Sequence, residues 1–288
     1  MEEIKTLTLN DKNYPKLLKE IKNAPKVLYI RGELKEAENC FAMVGTRRFS
    51  SYGKQVALEI ARDLAEAGLT IVSGLAPGID TFCHQAAVER KKRTIAILGT
   101  GLDEKTIYPQ SNLKLSQKIL ETGGCLISEY PPGTPGSQFS FPQRNRIISG
   151  LSSGVLVVEA KEKSGALITA SYAFSQKRNV FAVPGPIYSS NSKGCHYLIK
   201  KGAKLVESAN DILKELNLPL KEFSSFYKGE EEEENLILEI LKEEALYIDK
   251  IIEKTKLPTA KVASTLAILE IKGKVKNLGN NVYAINHR

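Results

Sequence analysis

The stretch Val44-Gly45-Thr46-Arg47-Arg48-Phe49-Ser50-Ser51-Tyr52-Gly53 decides the fold. It closes the apolar run FAMVG (41–45), turns at Gly45, and opens a pattern in which Val56, Ile60, Leu64 and Ala67 recur at four, four and three residues, the stripe of an amphipathic helix. A strand that turns through glycine into a helix aims backbone N–H groups and a helix N-terminus at one spot. Thr46, Ser50 and Ser51 add hydroxyls there, and Arg47 and Arg48 add charge, so phosphate is the natural ligand. The plainer alternative is helix capping by Ser50 or Ser51 beside exposed arginines.

The same unit recurs along the chain. Candidate strands lie at 69–74, 94–99, 125–128, 154–160, 179–185 and 204–206, alternating with helical patterns at 80–90, 111–122, 164–177 and 194–202. That alternation predicts an α/β fold over 40–219, a doubly wound, mostly parallel sheet with crossover helices. Residues 1–39 read as a short extension on this body, with a helix near 14–22 and an extended LYIRG at 28–32. After Pro219, residues 220–234 read as an acidic, mobile linker that ends in five glutamates, Glu230 to Glu234. Residues 235–288 hold three helical patterns and a hairpin turning at Gly279-Asn280-Asn281, which predicts a small winged-helix domain. Its third helix suits a DNA groove, and packing on protein is the competing use.

Composition narrows the function classes. With 42% hydrophobic and 26% charged residues, the 288-residue chain is globular. Its net charge of +8 sits in the body: +8 over 40–219, against −4 over 220–234 and +3 over 235–288. A basic body favours a polyanionic partner, although a lysine-rich surface reaches the same sum. The four cysteines, Cys40, Cys83, Cys125 and Cys195, form no CxxC pair. With no signal peptide or apolar run of spanning length in the sequence, the expected location is the cytoplasm, away from membranes.

Three further segments carry chemistry. SGLAPGIDTFCH (73–84) repeats the glycine turn, with Ser73, Gly74 and Gly78 permitting close backbone approach, Asp80 placed to cap the helix and His84 one turn on, expected to bond Asp80. FSFPQRNRIISGLS (139–152) clusters Arg144, Asn145 and Arg146 beside Phe139 and Phe141, the pairing of cation and aromatic that grips single strands; an aromatic core with surface arginines is the alternative. VLVVEAKEKSGALITA (155–170) ends a buried strand at Glu159, then sets Lys161, Lys163, Ser164 and Gly165 at a helix mouth. In an open α/β sheet ligands bind beyond the carboxyl ends of the strands, so these turns are expected to face one crevice. Walker, dinucleotide and GxSxG signatures are missing, and three scattered histidines do not make a metal site, so no cofactor or metal is expected.

These motifs, together with Tyr108-Pro109, SEYPPG (128–133) and VFAVPG, resemble in order the motif set of the bacterial DNA-processing DprA (Smf) family. The resemblance runs from about Leu7 to the end. It implies an extended Rossmann-like domain that binds single-stranded DNA, self-associates as a homodimer, and helps load the recombinase RecA in natural transformation, without catalysis. It also implies DNA contacts at Gly45, Thr46, Arg47, Phe141, Arg144, Asn145 and Arg146. A helical module that many members carry ahead of the position of Leu7 is absent from this sequence. Cys83 stands where alanine is usual, and His196 where asparagine is common.

Two other classes compete. One is a nucleotide hydrolase like the lysine decarboxylase-like Rossmann proteins, with Glu159 at the reacting bond, although the PGGxGTxxE loop of that group does not occur here. The other is a duplex-binding regulator acting through the winged helix.

Overall fold

The structure, a computed structural model, describes residues 3–35, 38–221, 229 and 231–285. The chain divides into two compact units, Met1–Lys221 and Glu222–Arg288.

The first unit is built on β1 (Ile4–Thr8), α1 (Lys16–Lys19), β2 (Val27–Gly32), β3 (Cys40–Val44), α2 (Ser51–Glu66), β4 (Thr70–Ser73), α3 (Ile79–Glu89), β5 (Thr94–Leu98), α4 (Leu113–Glu121) and β6 (Cys125–Ser128). It continues through α5 (Ser140–Leu151), β7 (Gly154–Val157), α6 (Gly165–Ser175), β8 (Asn179–Ala182), α7 (Lys193–Lys200), β9 (Lys204–Leu205) and α8 (Ala209–Glu215). Nine strands form one sheet in the order β1-β2-β6-β5-β4-β3-β7-β8-β9. From β6 to β9 all neighbours are parallel.

Every residue of β3 to β7 is buried, as expected of strands covered by helices on both faces. Small residues set the fit: Gly154 lies where a Cβ would stand 2.9 Å from both Phe41 and Phe181, whose rings meet at 5.7 Å. The chain winds from β3 through β4 and β5 to β6, then crosses to β7 on the other side of β3. The β3/β7 boundary is therefore the topological switch point, where such sheets open a crevice.

Residues 1–39 do more than pack on the body. β1 pairs antiparallel with β2, and β2 antiparallel with β6, so they lengthen the sheet itself. The edge strand β1 was hidden in the sequence because IKTLT is polar along most of its length and mostly exposed.

A second correction matters more. Residues 140–151 form a helix, α5, which the helical patterns predicted from the sequence do not include. Pro142 is the reason: it occupies the third helical position, where the missing N–H has no intrahelical partner to lose.

The second unit packs α9 (Glu232–Glu243), α10 (Ile248–Thr255) and α11 (Thr259–Ile271) against a three-stranded sheet of β10 (Leu246–Tyr247), β12 (Val282–Ile285) and β11 (Val275–Asn277). Leu238, Ile251, Leu266 and Leu269 fill its core. This is the winged-helix arrangement expected. The end of the glutamate run starts α9, where Glu234 is buried and its carboxylate takes the Lys272 ammonium at 2.7 Å. Of the expected linker, residues 222–228 and 230 lie outside the described residues.

Candidate nucleic-acid interface

A cleft of about 530 Å³ opens at the switch point. Its walls are the β3–α2 turn (Gly45, Thr46, Arg47, Arg48), one side of α5 (Phe141, Pro142, Arg144, Asn145, Ile148) and the β7–α6 turn with the start of α6 (Lys161, Lys163, Ser164, Gly165, Ile168, Thr169). All four motif segments therefore contribute to one place, the 73–84 segment only through Ala76 and Asp80. Glycines make the closeness possible: a Cβ on Gly45 would fall 2.6 Å from Ile79, and Gly78, at φ +89°, lies where a Cβ would sit 2.5 Å from the Thr46 carbonyl oxygen. Only glycine tolerates that conformation and contact together.

Exposed positive charge lines the rim at Arg47, Arg48, Lys161 and Lys163. The Arg47 guanidinium lies over the Phe141 ring, 5.8 Å from its centroid, within cation–π range. Phe141 is itself wedged: Tyr108 meets it at 5.3 Å, and a Cβ on Gly99 or Gly136 would strike its ring. Among the aromatics of this segment Phe139, 72% exposed at the N-terminus of α5, is the one fully presented to solvent.

Several expectations need correction. The N-terminus of α2 is not open to a phosphate, because Glu159 already occupies it. Its carboxylate accepts the Ser50 N–H at 3.0 Å and the Ser50 hydroxyl at 2.5 Å, with Asn191 donating at 3.3 Å. Gly53 leaves the room, since a Cβ there would stand 2.2 Å from Glu159 Oε2. Ser50 in turn caps the Gly53 N–H, and the Thr46 N–H donates to the Glu159 carbonyl. Glu159 also lies two residues beyond the end of β7 rather than within it. At the β3–α2 turn, the cationic groups left exposed are the Arg47 and Arg48 side chains. The start of α6 is more open: Ser164 caps the Ala166 N–H at 3.3 Å, and nothing lies within 4 Å of a Cβ placed on Gly165.

Ser73 and Gly74 do not line the cleft. The Ser73 hydroxyl donates to the Met43 carbonyl at 2.6 Å, and the Gly74 N–H donates to Asp80 at 3.0 Å. Asp80 therefore braces the β4–α3 turn, while Gly78 occupies the N-cap of α3. Nor does His84 bond to Asp80; its Nδ1 lies 2.8 Å from the Thr94 hydroxyl, and burial helped by the nearby Arg144 charge pulls its pKa down to about 3.

The two arginines of α5 are not exposed. Two residues apart on a helix, they point about 200° apart and cannot share a face. Arg144 closes the floor of the cleft, donating to the Gly74 carbonyl at 2.8 Å and to the Ile97 carbonyl, which ties the ends of β4 and β5 together. Burial lowers its pKa to about 10, with Arg47 adding to the effect and Asp80 opposing it. Arg146 points away, making two bonds to Glu129 at 2.9 and 2.6 Å and one to the Asn23 carbonyl. Between them Asn145 donates to the Gly165 carbonyl at 3.3 Å, joining α5 to the mouth of α6.

The sequence matches the family described as DNA recombination-mediator protein A over residues 5–217, and the DprA winged helix domain over 227–281. The chain belongs to the DprA (Smf) family. It is 41% identical to protein Smf of Escherichia coli over 270 residues, covering 90% of this chain and 72% of that one. It is 45% identical to DNA processing protein DprA of Bacillus subtilis, over 74% of this chain and 71% of that one. Among solved structures, DprA from Streptococcus pneumoniae superposes with a TM-score of 0.69 at 42% identity, covering 76% of each chain. DNA processing protein A from Helicobacter pylori, whose structure describes its single-stranded DNA binding mode, gives 0.66 at 32% identity over 75% of this chain and 98% of that one. The DprA fold and its C-terminal winged helix are thus the architecture found here. Among the described residues no helix is long and apolar enough to cross a membrane.

Proposed function

We propose that this chain binds single-stranded DNA in the cleft at the β3/β7 switch point, without reading sequence, and passes the coated strand to RecA as a non-catalytic mediator of recombination and transformation. The observation that carries the reading is the composition of the rim: Arg47, Arg48, Lys161 and Lys163 are exposed around the cleft, while the carboxylates of Asp80 and Glu159 are buried and engaged. Phosphates meet cations, and no base edge needs to be read. Within this proposal the contacts are Gly45, Thr46, Arg47 and Arg48 on one wall, Phe141 and Asn145 on another, and Lys161, Lys163, Ser164 and Gly165 on the third.

The single-stranded DNA binding mode described for the Helicobacter pylori relative and the mediator role carried in the family description support the same reading. A homodimer acting in the cytoplasm, where strand and recombinase meet, belongs to it as well. Nucleotide hydrolysis through Glu159 is disfavoured, because both carboxylate oxygens are held at the start of α2. The test is competition between single-stranded and duplex DNA of one length, with nucleoside monophosphate turnover assayed in parallel. Preference for the single strand with no turnover supports the proposal; preference for the duplex, or turnover abolished by Glu159→Gln, overturns it.

A further inference from the structure

A second cleft of about 560 Å³ lies on the other side of α5. It is walled by Glu20 to Asn23 of the N-terminal extension, by Arg146 of α5, by Tyr172 and Ser175 near the end of α6, and by Gln176 to Arg178 just after it. Two of its cations are internally engaged: Arg146 pairs with Glu129, and Arg178 donates to the Leu17 carbonyl at 2.7 Å and lies 3.5 Å from Glu20. Lys22 and Lys177 remain exposed, with no ion pair to any described residue. Glu20 is the single carboxylate in the lining, and Arg178 faces it.

The two clefts share α5 and α6 as walls. Ile168 lines the first and Tyr172 the second. Four residues apart on α6, they lie on one helical face and about 6 Å apart along the axis. Ile168 is 38% exposed and Tyr172 half-buried, so an apolar and aromatic ridge connects one basic cleft to the next.

We propose that the second cleft continues the track of the first: single-stranded DNA leaving the Lys163–Gly165 mouth runs along α6, rests on Tyr172, and places phosphates against Lys22 and Lys177. The inference depends on the single-strand reading of the first cleft, and the experiment separates the two. Continuity and charge support it. The ridge is one helical turn long, and sequence-tolerant strand binding combines such aromatic platforms with cations that follow the backbone.

Wild type is compared with the double variant Lys22→Gln, Lys177→Asn by fluorescence anisotropy. Asparagine is chosen at 177 because Lys177 has φ +56°, which asparagine tolerates. Two labelled thymidylate strands are used, one of roughly 5 nucleotides, near the lower end of single-domain footprints, and one of roughly 20, beyond their upper end. The double variant is expected to bind the short strand as wild type does and the long strand roughly five- to tenfold more weakly. Its log–log salt slope should be shallower by about 1.4 on the long strand alone. Tyr172→Ala should repeat the length-selective loss with an unchanged salt slope. Equal losses on both strands, or no loss on the long one, would overturn the extended track while leaving the first cleft intact. Failure of wild type to bind either strand would overturn both.

Discussion

Arg47, on the β3–α2 turn, lies over the ring of Phe141 on α5, 5.8 Å from its centroid. One contact thus joins two sequence motifs that stand more than ninety residues apart, and it holds an exposed cation at the edge of the cleft without neutralising it. Arg47→Ala should weaken single-strand binding about tenfold, since charge-assisted phosphate contacts contribute roughly 1.5–3 kcal/mol. The salt slope should become shallower by about 0.7. Anisotropy titrations across a salt series measure both, and a melting curve should show a nearly unchanged transition because the side chain is exposed.

Arg146 behaves in the opposite way. Its bidentate pair with Glu129 is about nine-tenths buried on both sides, and removing one partner leaves a buried, uncompensated charge. Arg146→Ala should cost roughly 3 kcal/mol of stability in urea unfolding, with part recovered when Glu129→Gln is added. Short-strand affinity of the folded protein should stay within about twofold of wild type.

His84 should make the fold acid-sensitive. Its pKa is held at about 3 when folded, against about 6.5 in the unfolded chain. Between those values the unfolded state binds the extra proton. This contribution to stability is therefore complete above about pH 6.5 and is lost as pH falls toward 3, with a slope of about 1.4 kcal/mol per pH unit. Denaturant midpoints from pH 7 to 4 should fall more steeply for wild type than for His84→Gln; parallel curves would show that His84 does not titrate as described.

Gly53 tests the seat of Glu159. A methyl group at this position would stand 2.2 Å from the carboxylate, so Gly53→Ala should push Glu159 off the start of α2. The overpacking cost is about 1–3 kcal/mol, despite the better helix propensity of alanine. Thermal unfolding reads this directly.

Most of the sheet was legible in the sequence because its strands are buried on both faces and read as unbroken apolar runs such as FAMV and TIAIL. The crossover helices followed from their stripes, although in α2 the buried line falls on Gly53, Ala57, Ile60, Ala61 and Leu64 rather than on Val56 and Ala67. The site was legible in part. Glycine turns and cations located its three walls, but side-chain direction was hidden wherever a helix went unseen. With α5 unrecognised, Arg144 and Arg146 looked equivalent, and the 200° between them was lost. Glu159 posed the same difficulty: nothing local in the sequence reveals that a residue 109 positions away from Ser50 takes the place of an anion at the start of α2.

Truncation after Lys221 should leave single-strand affinity within about threefold of the full chain, because the cleft and its rim lie wholly within the first unit. Circular dichroism confirms the fold of the shortened protein, and anisotropy its binding. Loss of most affinity by a folded truncation would make the winged helix the principal DNA module.

The location of the strand can be read most directly by photo-crosslinking the full-length protein to a bromodeoxyuridine-substituted single strand, followed by peptide mapping. Adducts on the peptides that carry Phe139 to Asn145 and Lys161 to Gly165, weaker in Arg47→Ala at the same protein and strand concentrations, are the expected result. Adducts confined to residues 231–285, or spread over the body and indifferent to Arg47, would contradict a single strand bound at the β3/β7 switch point.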